Sequence, residues 1–142
     1  MSTVAPESLR VVLDTNVLVS AFTHHRSLSF QIWQKAIDRR FSLLLSPQIV
    51  TELAGVLRLK FSWSDAHILP EMKFLIKTAE IVVPKLTLQV VPEDDDDNHI
   101  LECAVAGNAG LIVSSDHHLR KLKSYQGIGI VTPIDFSRML GG

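Results

Sequence analysis

Arg10-Val11-Val12-Leu13-Asp14-Thr15-Asn16-Val17-Leu18-Val19-Ser20 decides how the rest of the chain is read. Val11 to Leu13 form a short apolar run with β-branched residues, the composition of a buried strand. Asp14 closes that run, and Thr15–Thr23 reads as a helix. A second apolar run, Phe41–Leu45, ends at Ser46-Pro47. Ser caps free helix amides and Pro fits the first helical turn, so a helix starts there. Ile49, Leu53, Val56 and Leu57 then recur at helical spacing. Phe30–Ile37 is another helix candidate. Ser64–Ala79 is one too, and Pro70 is expected to kink or interrupt it. Leu88–Val91 reads as a third strand, Asp94–Ala106 as a helix, and Leu111–Val113 as a fourth strand. Asp116–Leu122 is a short helix or turn, Gly127–Val131 a fifth strand, and Pro133–Leu140 a closing helix. Alternation of strands and helices predicts an α/β fold with a mostly parallel sheet of about five strands.

The 142 residues suit one domain, placed at 10–140 after an N-terminal tail of residues 1–9. The composition, 46% hydrophobic and 20% charged, is that of a folded globular protein. A net charge of −1 argues against a large static nucleic-acid surface, and leaves room for an enzyme that touches a few phosphates. One cysteine, Cys103, excludes an internal disulfide and a cysteine-rich metal site. The N-terminus through Pro6 carries no long apolar stretch. No signal peptide and no membrane partner are expected, and the expected location is cytoplasmic.

In parallel sheets, ligands bind beyond the carboxyl ends of the strands. Asp14 and Asp116 both follow strands. Glu52 lies early in the helix after the second strand, beside Leu53. Asp97 aligns at helical spacing with Leu101, Ala104 and Val105. Each acid has a plain alternative. Asp14 and Asp116 are good helix caps, Glu52 suits a solvated helix face, and the run Glu93 to Asp97 matches a helix dipole. Together they would converge on one rim, and acids converging without Lys or Arg point to a divalent metal. His24-His25 and His117-His118 read as loop residues, with His117 or His118 near enough to Asp116 to meet a phosphate. His99 reads as a surface residue. Trp33 and Trp63 read as packing, and Cys103 as core. Arg120, Lys121 and Lys123 lie just past Asp116 and suit an RNA backbone.

Four ordered stretches carry a family resemblance. They are Val11 to Ser20, Ser46-Pro47-Gln48-Ile49-Val50-Thr51-Glu52-Leu53, Asp97-Asn98-His99-Ile100-Leu101-Glu102-Cys103-Ala104, and Ile112-Val113-Ser114-Ser115-Asp116. The chain resembles a PIN domain from about Arg10 to Leu140. The ending Ile130-Val131-Thr132-Pro133-Ile134-Asp135-Phe136 is similar to a bacterial subgroup described as toxin components of toxin–antitoxin pairs. The resemblance implies a three-layer α/β/α sandwich and an Mg²⁺- or Mn²⁺-dependent ribonuclease. It carries Asp14, Glu52, Asp97 and Asp116 over as catalytic and metal-binding acids, with Thr15, Asn16 and Ser115 as supporting neighbours. Asp94 is a further supporting candidate. RNA is the implied substrate, with an antitoxin and a second copy of the chain as implied partners. Where many relatives have Thr-Gly before the fourth acid, this chain has Ser114-Ser115.

Two other enzyme classes fit less well. A haloacid-dehalogenase-like phosphatase wants Asp where Asn16 stands. A phospho-receiver domain wants a lysine after the fifth strand, where Val131-Thr132-Pro133 offers none. The remaining alternatives to a nuclease are another phosphatase-like metal-dependent hydrolase or a catalytically silent binding or regulatory module on the same fold.

Overall fold

The computed structural model describes residues 9–85 and 95–141. The elements run β1 (Arg10–Leu13), α1 (Thr15–Thr23), α2 (Leu28–Ile37), β2 (Ser42–Leu45), α3 (Pro47–Phe61), α4 (Asp65–Thr78) and β3 (Glu80–Ile81). They continue with α5 (Asp95–Ala106), β4 (Leu111–Val113), α6 (His117–Leu122), β5 (Ser124–Tyr125), β6 (Ile128–Val131) and α7 (Pro133–Met139). The sheet order is β3-β2-β1-β4-β6-β5. All pairs are parallel except β5 with β6. Helices flank the sheet, giving an α/β/α arrangement.

Val11, Val12 and Leu13 are fully buried, as a central parallel strand covered on both faces requires. The helix starts follow local chemistry. Ser46 accepts from the Ile49 amide at 3.3 Å, with Pro47 in the first turn of α3. Ser27, Ser64 and Thr132 cap α2, α4 and α7 in the same way. Leu53 and Leu57 face the core, and α5 packs on α3 and on β1, β2 and β4. At the end of α5, Gly107 lets the chain pass tightly over the sheet. A Cβ there would sit 2.8 Å from Leu44 Cδ1.

The sheet has six strands among the described residues, close to the number expected. The expected strand Leu88–Val91 lies outside the described residues; the two-residue β3 pairs with β2. The extra antiparallel β5 joins β6 through Gln126 and Gly127. Both have positive φ, which suits a tight two-residue hairpin. Two expectations need correction. First, Pro70 does not interrupt α4, which runs through it. Pro70 and Ala66 are both exposed, so water can serve the carbonyl that lacks a proline N–H. Second, His99 is not a free surface residue; its half-buried ring is engaged by α3, as described below. Among the described residues, no helix is long and apolar enough to cross a membrane.

Candidate metal centre

The strand order reverses direction at β1. From there the chain steps to β2 and β3, then returns to place β4 on the other side. Such a switch point opens a crevice beyond the strand ends. Leu13 pairs with Val113, and the Asp14 amide donates to the Val113 carbonyl at 2.9 Å. The residues that leave β1 and β4 are therefore neighbours in space.

Asp14 is buried at this rim. Its carboxylate does not cap α1 with good hydrogen-bond geometry, although the Thr15 and Asn16 amides lie near enough to favour its charged form. Instead, the Ser114 hydroxyl donates to Asp14 Oδ2 at 2.6 Å. The same hydroxyl accepts from the Asp116 amide at 2.9 Å, which links the two acidic segments. Burial pushes the Asp14 carboxyl up to about 6, against a pull downward from Ser114 and the amides of Asn16 and Thr15. The nearby Asp116 charge pushes the same way as burial, because like charges oppose each other's ionisation.

Asp116 stands at the start of α6. Its Oδ1 accepts from the amides of His118 at 2.8 Å and Leu119 at 3.4 Å. The plain capping role is therefore real, and it holds the side chain at the rim. Glu52, on the first turns of α3, is half-buried. Thr15 Oγ1 donates to its Oε2 at 3.2 Å, and His99 Nδ1 lies 2.5 Å from its Oε1. Glu52 thus joins α1, α3 and α5. Asp97 and Asn98 are buried in the first turn of α5. Asn16 and Ser115 are exposed. Asp94 lies outside the described residues.

Two contacts were not anticipated from the sequence: Ser114, rather than Ser115, reaches Asp14, and His99 pairs with Glu52. A signal existed for Ser114, which follows a buried strand whose side chains alternate across the sheet. None existed for His99, because its partner lies 47 residues away.

The donors at the rim are hard oxygens, the chemistry of Mg²⁺ or Mn²⁺. Among the described residues, no three His, Cys, Asp or Glu side chains stand close enough together to hold an ion by themselves. An ion held there would take one or two of these carboxylates and complete its shell with waters and substrate phosphates. Cys103 does not contribute a reactive thiol. Burial pushes it up to about 12, so it stays protonated.

The PIN domain model matches residues 10–118, most of the chain and every strand-end segment described above. The chain belongs to the PIN domain family. Two solved structures share the PIN fold with it. The crystal structure of VapBC2 from Rickettsia felis, bound to a DNA fragment from their promoter, aligns with a TM-score of 0.63 at 17% identity. The alignment covers 87% of this chain and 98% of that one. PAE2754 from Pyrobaculum aerophilum aligns at 0.60 and 14% identity, covering 95% and 90%. No curated protein matches the chain significantly in sequence.

Proposed function

We propose that this PIN domain is a divalent-metal-dependent endoribonuclease and the toxin component of a toxin–antitoxin pair. The observation that carries the reading is Asp14. A carboxylate is buried at the switch point next to a second acid, with its pKa raised to about 6. Such an arrangement costs stability, and it is the kind of cost that functional sites carry. Family membership supports a nuclease in general. The VapBC2 pair from Rickettsia felis supports a partner protein.

One or two of Asp14, Asp97 and Asp116 would hold Mg²⁺ or Mn²⁺, with waters and substrate phosphates completing the shell. When bound, the ion supplies a Lewis acid and lowers the pKa of a water at the scissile phosphate. Ser114 orients Asp14 and ties it to the Asp116 backbone. Glu52 has Thr15 on one oxygen and His99 on the other, which suits orienting the attacking water and its neighbours. Arg120, Lys121 and Lys123, just beyond Asp116, are placed in sequence to meet RNA phosphates. A homodimer and a cytoplasmic location complete the proposal.

The test is cleavage of single-stranded RNA by pure protein with Mg²⁺ or Mn²⁺ and with EDTA, beside Asp14→Asn. The variant and the EDTA sample are expected to be inactive. Cleavage by the variant at the wild-type rate refutes the site.

A further inference from the structure

A cavity of about 400 Å³ opens beside Glu52, lined by Pro47, Gln48, Thr51, Glu52 and His99. Glu52 is a wall of this cavity and, through Thr15, is also tied to the segment that carries Asp14. The cavity is an open surface groove rather than an enclosed pocket. Its two ring-bearing residues come from different helices. Pro47 opens α3, and His99 stands on α5, engaged by the Glu52 carboxylate at 2.5 Å. An imidazole face is one of the surfaces on which unstacked RNA bases settle.

Gln48 contributes the amide. Its Oε1 is buried and, among the described residues, has no hydrogen-bond donor. Leaving such an acceptor unsatisfied is costly, so this rotamer is weakly defended. Gln48 already lines the cavity, and a turn of its last side-chain torsions would bring the amide to a ligand N–H. An amide offers one donor and one acceptor side by side, the pattern needed to read a base edge.

We infer that this cavity is a nucleobase subsite in which Gln48 reads the edge of a base next to the scissile phosphate. The inference rests on the ribonuclease reading and adds a source of sequence preference to it. The Thr51 hydroxyl donates to the Pro47 carbonyl at 3.0 Å, so towards a base it can only accept. The base thus meets one amide for recognition and ring surfaces for stacking.

The experiment has two arms. In the first, the ends of products from a randomised RNA are sequenced for wild type, Gln48→Ala and Gln48→Glu. Wild type is expected to show a skew of fivefold or more at one position beside the cut. Gln48→Ala flattens that skew to within twofold, with cleavage of the least favoured sequences within threefold of wild type. Gln48→Glu accepts and does not donate, so its preference moves towards bases that present an amine. In the second arm, binding of rA, rC, rG and rU octamers is measured in EDTA, where no cleavage is needed. A base preference that Gln48→Ala abolishes supports the subsite even if no RNA is cut, in which case the nuclease reading alone fails. Cleavage with a skew that Gln48→Ala leaves intact, or with no skew at all, overturns the subsite and spares the nuclease. Absence of both binding and cleavage overturns both.

Discussion

Asp14→Asn should stabilise the metal-free protein, and the gain should depend on pH. The folded-state pKa of Asp14 is about 6, against an ordinary value of 3.8. A carboxyl group whose pKa is raised by folding favours the native state only while it is protonated. Its contribution is fully present below pH 3.8 and is lost as pH rises through 6. At pH 7.5 the ionised, buried Asp14 therefore costs roughly 3 kcal/mol relative to a neutral side chain, from about 1.4 kcal/mol per pH unit of the gap. At pH 4.5 the same linkage leaves a cost of about 1 kcal/mol. Asn removes the charge, keeps the shape, and still offers an oxygen to the Ser114 hydroxyl. In EDTA at pH 7.5 the variant should melt about 5–10 °C above wild type. That difference should shrink by more than half at pH 4.5. Mn²⁺ adds an opposing arm. At a hundredfold excess over its dissociation constant, the ion stabilises wild type by about 2.7 kcal/mol, and the variant should lose most of that shift. Calorimetry or circular dichroism melts of both proteins at the two pH values, with and without Mn²⁺, measure all of this. A variant no more stable than wild type at pH 7.5 in EDTA, or equally favoured at both pH values, would refute the reasoning.

Ser114→Ala removes the bond that holds the Asp14 pKa down. The acid limb of the pH–rate profile should therefore move to higher pH, and stability above pH 6 should fall by about 1.5–3 kcal/mol; an unmoved profile would mean that Ser114 does not tune the acid. Asp116→Asn keeps the oxygen that caps α6 and removes the charge that opposes Asp14 ionisation. It should leave the fold intact, lower the Asp14 pKa in an NMR titration, and reduce cleavage at least tenfold, whereas Asp116→Ala should also lose about 1 kcal/mol of capping. Gly107→Ala pushes a methyl group against Leu44, Val82 and the Cys103 carbonyl. It should cost about 1–3 kcal/mol in urea unfolding without changing the RNA products, and a neutral result would show that α5 can lift off the sheet.

Much of the architecture was legible because its causes are local. Val11 to Leu13 declare a strand by composition, Ser46-Pro47 declares a helix start, and Ile49, Leu53 and Leu57 declare a buried stripe by period. These signals sufficed for a parallel α/β sheet, for Asp14 at a strand end, and for the family. Other features had no local cause to read. Glu80 and Ile81 are exposed and form a strand only because the β2 edge is there to pair with. Pro70 stays inside α4 because its side faces water, and burial is a property of the packed molecule. The site depends most on such distant encounters. The Ser114 hydroxyl meets Asp14 across 100 residues of sequence, and His99 meets Glu52 across 47. The sequence determined which side chains stand ready at each strand and helix end. The tertiary structure decided which of them touch, because β4 returns beside β1 and α5 against α3. Only that burial and proximity lift the Asp14 pKa towards neutrality.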